Sequence, residues 1–190
     1  MYKKLFLILL CFWGTVSHAE SKFIDGRGYC SSPNIDPFEG EYYVTFYATA
    51  ASIAQPSFGH AFIGLSAPKD NINNVCKPET AYGQYPTKDA PLWAQFKAGD
   101  SYGFRKEDLK SISPAEKLKV RITYDTYLEI QKVISKWYNQ RYVIGISDCI
   151  SFVEEVAKST PWLKAPPRKM YYLPYDYLSI LISLNTDNYG

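Results

Sequence analysis

The sequence predicts an α+β fold, with strands gathered before residue 125 and helices after it. Two periodicities predict it. Segments such as Glu41 to Ala50 (EYYVTFYATA) and Leu118 to Thr123 (LKVRIT) are β-rich or alternate apolar with polar residues, as half-buried strands do. From Thr126 onward the apolar residues fall at helical spacing instead, with Tyr127, Ile130, Ile134 and Trp137 on one stripe. The chain shows no internal repeat, no low-complexity tract and no linker that would divide it.

The elements follow in order. Ser21 to Gly40 reads as an irregular lead-in rich in turn residues, and Glu41 to Ala50 as the first strand. Gly59 to Leu65 (GHAFIGL) is a second strand, with Ala61, Ile63 and Leu65 on one face and His60, Phe62 and Gly64 on the other. Thr80 to Tyr85 is a third, stopped by Pro86. Lys88 to Lys110 contains Gly99, Asp100 and Gly103 and reads as loop with room for a short strand. Leu118 to Thr123 completes the strands. The helices are Thr126 to Tyr138, Asp148 to Ser159 with Ser147 or Asp148 as N-cap, and Tyr175 to Leu184 after a Pro-rich stretch.

The N-terminus has the layout of a secretory signal peptide. Lys3 and Lys4 precede the apolar run Leu5 to Trp13, and Ser17-His18-Ala19 places small residues at the two recognition positions. Cleavage is expected after Ala19, leaving residues 20–190 as a single domain that is periplasmic or secreted. The run is too short for an anchor, which needs roughly 20 apolar residues. Leu10 before Cys11 is too large for a lipobox.

Charge and cysteines narrow the function. With Lys3 and Lys4 gone, the 21 basic residues fall to 19, against 19 acidic ones. That balance argues against a nucleic acid held through its phosphates and gives no pull toward an acidic membrane. Cys11 leaves with the signal, so Cys30, Cys76 and Cys149 remain. An odd count in an exported chain leaves one thiol unpaired. Cys30 and Cys76 lie in polar, Pro- and Asn-rich stretches that suit a surface disulfide between them, although three reduced cysteines would fit the same sequence. Cys149 instead heads an apolar helix.

In the first turn of a helix, a thiol faces unpaired backbone N–H groups and the positive end of the helix dipole, which favour the thiolate. A nucleophilic thiol also needs a proton-handling partner, and past residue 19 the only histidine is His60. Cys149 and His60 are thus a candidate dyad by elimination. The plainer alternatives are a cysteine serving as a small core hydrophobe and a structural histidine on a strand. A zinc tetrad cannot be built from one histidine and one free cysteine, no phosphate-binding glycine loop is present, and no cofactor is expected.

GHAFIGL, then AYGQYP, then DCISFVEEVA resembles the circularly permuted papain-like hydrolases, the NlpC-like group that includes lecithin:retinol acyltransferase. The matching positions are Gly59, His60 and Ala61 in a Gly-His-apolar strand, and Asp148, Cys149 and Phe152 in an (Asn/Asp)-Cys-x-x-Phe helix start. The resemblance spans roughly Tyr43 to Leu184. It implies an antiparallel sheet that carries the histidine, packed against a helix whose N-terminus carries the cysteine. It also implies a covalent acyl-enzyme on Cys149, with His60 as base and then acid, and the Cys149 N–H at the oxyanion. A third group from the next strand would orient the imidazole. Glu79, Tyr82 and Gln84 are available there, and Gln84 is the favoured one.

Tyr42, Tyr43, Phe46, Tyr47, Tyr82 and Tyr85 offer aromatic area for a groove, or equally for packing. Tyr47, Tyr82, Tyr85 and Asp148 are the candidate substrate-facing residues, although Asp148 is more simply a helix cap. The expected activity is cleavage of an amide bond, in a peptide of peptidoglycan type, by a monomeric thiol hydrolase. The alternatives are a lipid acyltransferase or lipase on the same dyad, and a non-catalytic binding or inhibitory module. No basic stripe or amphipathic membrane helix stands out, which tilts the enzyme reading toward peptide.

Overall fold

The computed structural model of the chain describes residues 22–24, 42–51, 58–67, 79–86, 103–107, 109, 112–169 and 172–186. The expected signal peptide, Cys11, Cys30 and Cys76 with their expected disulfide, and most of the lead-in and of the 88–110 loop lie outside those residues. Among the described residues Cys149 is a free, buried cysteine.

Six strands form one sheet in the order β1-β6-β2-β3-β4-β5. They are β1 (Lys22–Ile24), β2 (Tyr42–Thr49), β3 (His60–Ser66), β4 (Thr80–Gln84), β5 (Phe104–Glu107) and β6 (Glu116–Ile122). Every neighbouring pair is antiparallel except β1 with β6, which is parallel. Three helices follow: α1 (Tyr124–Trp137), α2 (Cys149–Lys158) and α3 (Pro174–Thr186). The chain is therefore α+β, with the strands first and the helices after them. β1 was expected to be irregular, because three residues are too few to show a period. None of the described helices is long and apolar enough to cross a membrane.

Alternation of side chains decides which face of the sheet the helices cover. Val44, Phe46 and Ala48 of β2 share a buried cluster with Ala61, Ile63 and Leu65 of β3 and with Leu118, Val120 and Ile122 of β6. The helices complete that cluster with Ile130, Val133 and Trp137 of α1, Phe152, Val153 and Val156 of α2, and Tyr177, Leu178 and Leu181 of α3. The opposite face holds a smaller cluster of Tyr47, Phe62 and Ala81, with Leu109 and Ile112 against it. A one-residue slip of β3 would exchange the two sets, so burial on the helical side fixes the register.

The helices begin and dock by specific polar contacts. Thr123 caps α1, its Oγ1 accepting the Thr126 N–H at 3.2 Å. Glu155 of α2 then ties the two helices together, accepting from Lys136 Nζ at 2.7 Å and Trp137 Nε1 at 2.9 Å. Asn185 near the end of α3 accepts the Lys164 N–H at 2.8 Å and donates to the Lys164 carbonyl at 3.1 Å. That clamp holds the segment after α2 against α3.

Phe152 is the packing centre between α1, α2 and β5. It is fully buried, and its ring meets Phe104 at 4.9 Å and Trp137 at 5.4 Å, both edge-on. Phe152→Ala removes both contacts and leaves a cavity, so unfolding by urea should show a loss of about 3–5 kcal/mol with an unchanged denaturant slope. A loss below about 1 kcal/mol would show that the two flanking rings close the gap.

Candidate active site

β3 starts where it does because of Gly59. Its φ is +83°, and a Cβ there would lie 2.4 Å from the Thr49 carbonyl oxygen, so only glycine fits. The next residue, His60, donates its backbone N–H to Thr49 Oγ1 at 2.9 Å. The imidazole lies alongside two aromatic rings, 3.9 Å from Tyr85 and 5.5 Å from Phe62 between centroids. Phe62 belongs to the small cluster on the sheet face away from the helices, whereas Ala61 belongs to the core that contains Cys149.

α2 starts with Cys149, and Asp148 is its N-cap. Asp148 Oδ1 accepts from the Ser151 N–H and hydroxyl, both at 2.9 Å, and Oδ2 accepts from the Gly145 N–H at 2.7 Å. Arg168 closes the arrangement, donating from Nη2 to Oδ2 at 2.7 Å and from Nε to Oδ1 at 3.4 Å. Both partners are buried, with side-chain exposures of 9% and 4%. Burial would raise the Asp148 carboxyl. The hydrogen bond and charge of Arg168, with the Gly145 and Ser151 N–H groups, outweigh it and hold the group below the usual aspartate range. Asp148 is a cap and an ion-pair partner, with its oxygens already engaged rather than turned to a substrate.

The thiol of Cys149 reaches β3. Its sulfur accepts backbone N–H groups from Ala61 and from Ile150, which favour the thiolate. Burial acts the other way and is the largest influence, followed by the Asp148 charge, and together they push the thiol up to about 12. The expected lowering by the helix N-terminus is therefore reversed. The cap that completes the helix is itself an anion beside the sulfur, and the residue is only 5% exposed. At neutral pH the resting group is a thiol.

The remaining expected residues divide between the two faces. Gln84 is fully buried, donates from Nε2 to the Gln140 carbonyl at 3.1 Å, and leaves Oε1 without a hydrogen-bond partner. It therefore makes no hydrogen bond to His60. Tyr82 stacks with Phe104 at 6.1 Å on the helical side. Tyr47 lies on the other side, against Phe62 at 4.9 Å, and donates to Glu79 Oε2 at 2.7 Å. Tyr42 and Phe46 are core residues on the helical side. The tyrosines and phenylalanine of β2 and β4 thus do not line one groove, because neighbours along a strand point to opposite faces. Of these residues, Tyr85 is the one whose ring lies against His60.

Two residues near the thiol escaped the sequence reading. Arg168 follows Pro166 and Pro167 in what looked like a plain connection, and a lone arginine in a loop gives no signal of burial. Tyr142 is buried, and its hydroxyl feels the charges of Cys149 and Asp148. Burial first and then those two groups raise it, so it remains a protonated donor. A cleft of about 470 Å³ runs along the flank of α2, lined by Trp137, Gly145, Ile146, Ser151, Glu154 and Arg168 among others. Cys149 is not in its wall. The described residues contain no group of three or more histidine, cysteine or carboxylate side chains able to hold a metal.

No family model matches the chain, and neither a curated protein nor a solved structure is significantly similar to it.

The Asp148–Arg168 pair makes stability depend on acid. The carboxyl titrates lower in the folded state than in the unfolded chain, so its contribution is fully present above the ordinary aspartate value of about 3.9 and is lost as pH falls through the folded value. Asp148→Asn keeps a capping side chain but leaves Arg168 buried and unpaired, which should cost about 3–5 kcal/mol at pH 7. Urea unfolding from pH 7 down to pH 2 measures both effects: the variant should be less stable at neutrality and show a shallower acid decline. Parallel curves for the two proteins would mean that Asp148 is not the acid-sensitive group.

Proposed function

We propose that the chain is an exported thiol hydrolase of permuted papain-like fold, in which Cys149 attacks an amide carbonyl with His60 as proton acceptor. The observation that supports this reading is the packing of α2, whose first residue is Cys149, against β3, whose first residue is His60. The order of the elements agrees with it: the histidine strand precedes the cysteine helix, and α2 packs on β3.

The chemistry follows from the state of the thiol. Because burial and Asp148 keep it protonated, a standing thiolate–imidazolium pair is not the starting point. Attack is then coupled to proton loss: the His60 ring, which rests on the opposite face of β3, must turn to the sulfur, take the S–H proton as the sulfur–carbon bond forms and return it to the leaving amine when the C–N bond breaks. Water, deprotonated by the same imidazole, hydrolyses the thioester. The Cys149 backbone N–H, at the start of α2, is a donor for the carbonyl oxygen as it becomes an oxyanion. The Tyr85 ring lies against the imidazole at 3.9 Å, tilted by 31°, and Gln84 Oε1 is an unpartnered acceptor for an N–H group. A cell-wall peptide is the substrate class that export and the near-zero charge suit.

The burial of Cys149 favours a second reading, in which the same fold serves as a binding or inhibitory module and the cysteine only packs. An activated ester separates the two. With p-nitrophenyl acetate, the hydrolase should give a burst of one nitrophenolate per chain and an acetyl group on Cys149. His60→Ala should slow the burst by about 10²–10⁴-fold, and Cys149→Ala should abolish it. A rate equal in the parent and Cys149→Ala would leave the binding module as the answer.

A further inference from the structure

The cleft along the flank of α2 has walls whose charges are already matched. Glu154 pairs with Lys158 at 2.6 Å, and Glu155 with Lys136 at 2.7 Å. Arg168 is held by Asp148, which takes Nε and Nη2 along one edge of the guanidinium plane. Nη1 lies away from that edge. It is buried and has no hydrogen-bond partner among the described residues. Arg168 lines the cleft, whereas Asp148 does not. A buried donor left without an acceptor is costly, so an acceptor seated against it is favoured. Ser151, in the same wall, gives its hydroxyl proton to Asp148 at 2.9 Å and keeps oxygen lone pairs for another donor. Ile146, also in the wall, is 76% exposed.

We propose that this cleft binds a neutral peptide segment, with a main-chain carbonyl accepting from Arg168 Nη1, a main-chain N–H donating to Ser151 Oγ and an apolar side chain against Ile146. The matched charges select a neutral ligand. A free carboxylate would face Glu154 and Glu155, and a free ammonium would face Lys158 and Arg168. An amide needs no countercharge and supplies both an acceptor and a donor. The volume of about 470 Å³ lies within the range of small-ligand sites, roughly 300–1,000 Å³. Ile146 and the Lys158 side chain are largely exposed, which leaves them room to turn as a peptide reaches Nη1. Cys149 is outside the wall, so the site rests on neither reading of the thiol. It serves a hydrolase as a subsite away from the scissile bond and a binding module as its pocket.

Amide NMR spectra of the full chain, titrated with the blocked dipeptide N-acetyl-Leu-Ala-amide, test this. The Gly145, Ile146 and Ser151 signals should shift and saturate together. The unblocked zwitterion Leu-Ala should bind more weakly, and so should N-acetylglucosamine, which has an amide but no apolar side chain. Arg168→Lys keeps a cation for Asp148 but removes Nη1, and it should weaken binding by about tenfold. Ile146→Ser alters an exposed side chain, so it probes the cleft even if the Arg168 variant does not fold, and it should cost about fivefold for the leucine peptide. Cys149→Ala should bind like the parent, which separates this site from the ester burst. Saturation with no shift at those three residues, binding by N-acetylglucosamine equal to that of the dipeptide, or parent-like binding by folded Ile146→Ser would overturn the proposal.

Discussion

The buried ion pair between Asp148 and Arg168 is the constraint on which the rest of the candidate site depends. A buried carboxylate beside a helix N-terminus needs a cation and several donors, and it collects them from three separate segments. Gly145 comes from the turn before α2, Ser151 from its first turn, and Arg168 from the segment that follows it. The same pair thereby fixes the direction in which α2 starts and the place where its first residue, Cys149, meets β3. It also sets the electrostatics of the thiol, since Asp148 raises it and Arg168 lowers it.

β3 links this arrangement to the sheet by using its two sides differently. Ala61, Ile63 and Leu65 pack under the helices, and the Ala61 N–H meets the sulfur. His60 and Phe62 serve the other face, where Tyr85 and Tyr47 meet them. The strand therefore anchors thiol and imidazole on neighbouring residues while placing them in different surroundings, one in the dry core and one among aromatic rings.

Much of the fold is legible in the sequence because burial there is periodic. The alternation in LKVRIT and the helical stripe through Ile130, Ile134 and Trp137 correspond to β6 and α1 within a few residues. Asp148 as a cap is legible for the same local reason. The state of Cys149 was not: a helix N-terminus argues for a thiolate, but burial depends on what packs over the thiol, and no local pattern encodes that. Arg168 and Tyr142 were hidden because tertiary contacts alone give them their roles.

The pH dependence of Cys149 alkylation by iodoacetamide, in the folded parent and in Asp148→Asn, tests most directly whether Cys149 is a working nucleophile held neutral at rest. The parent should react while folded, with an inflection above the free-thiol value of about 8.5. Removing the Asp148 charge should move that inflection down. A thiol that stays inert at every pH until the protein unfolds, in both forms, would contradict the account and make Cys149 a core residue only.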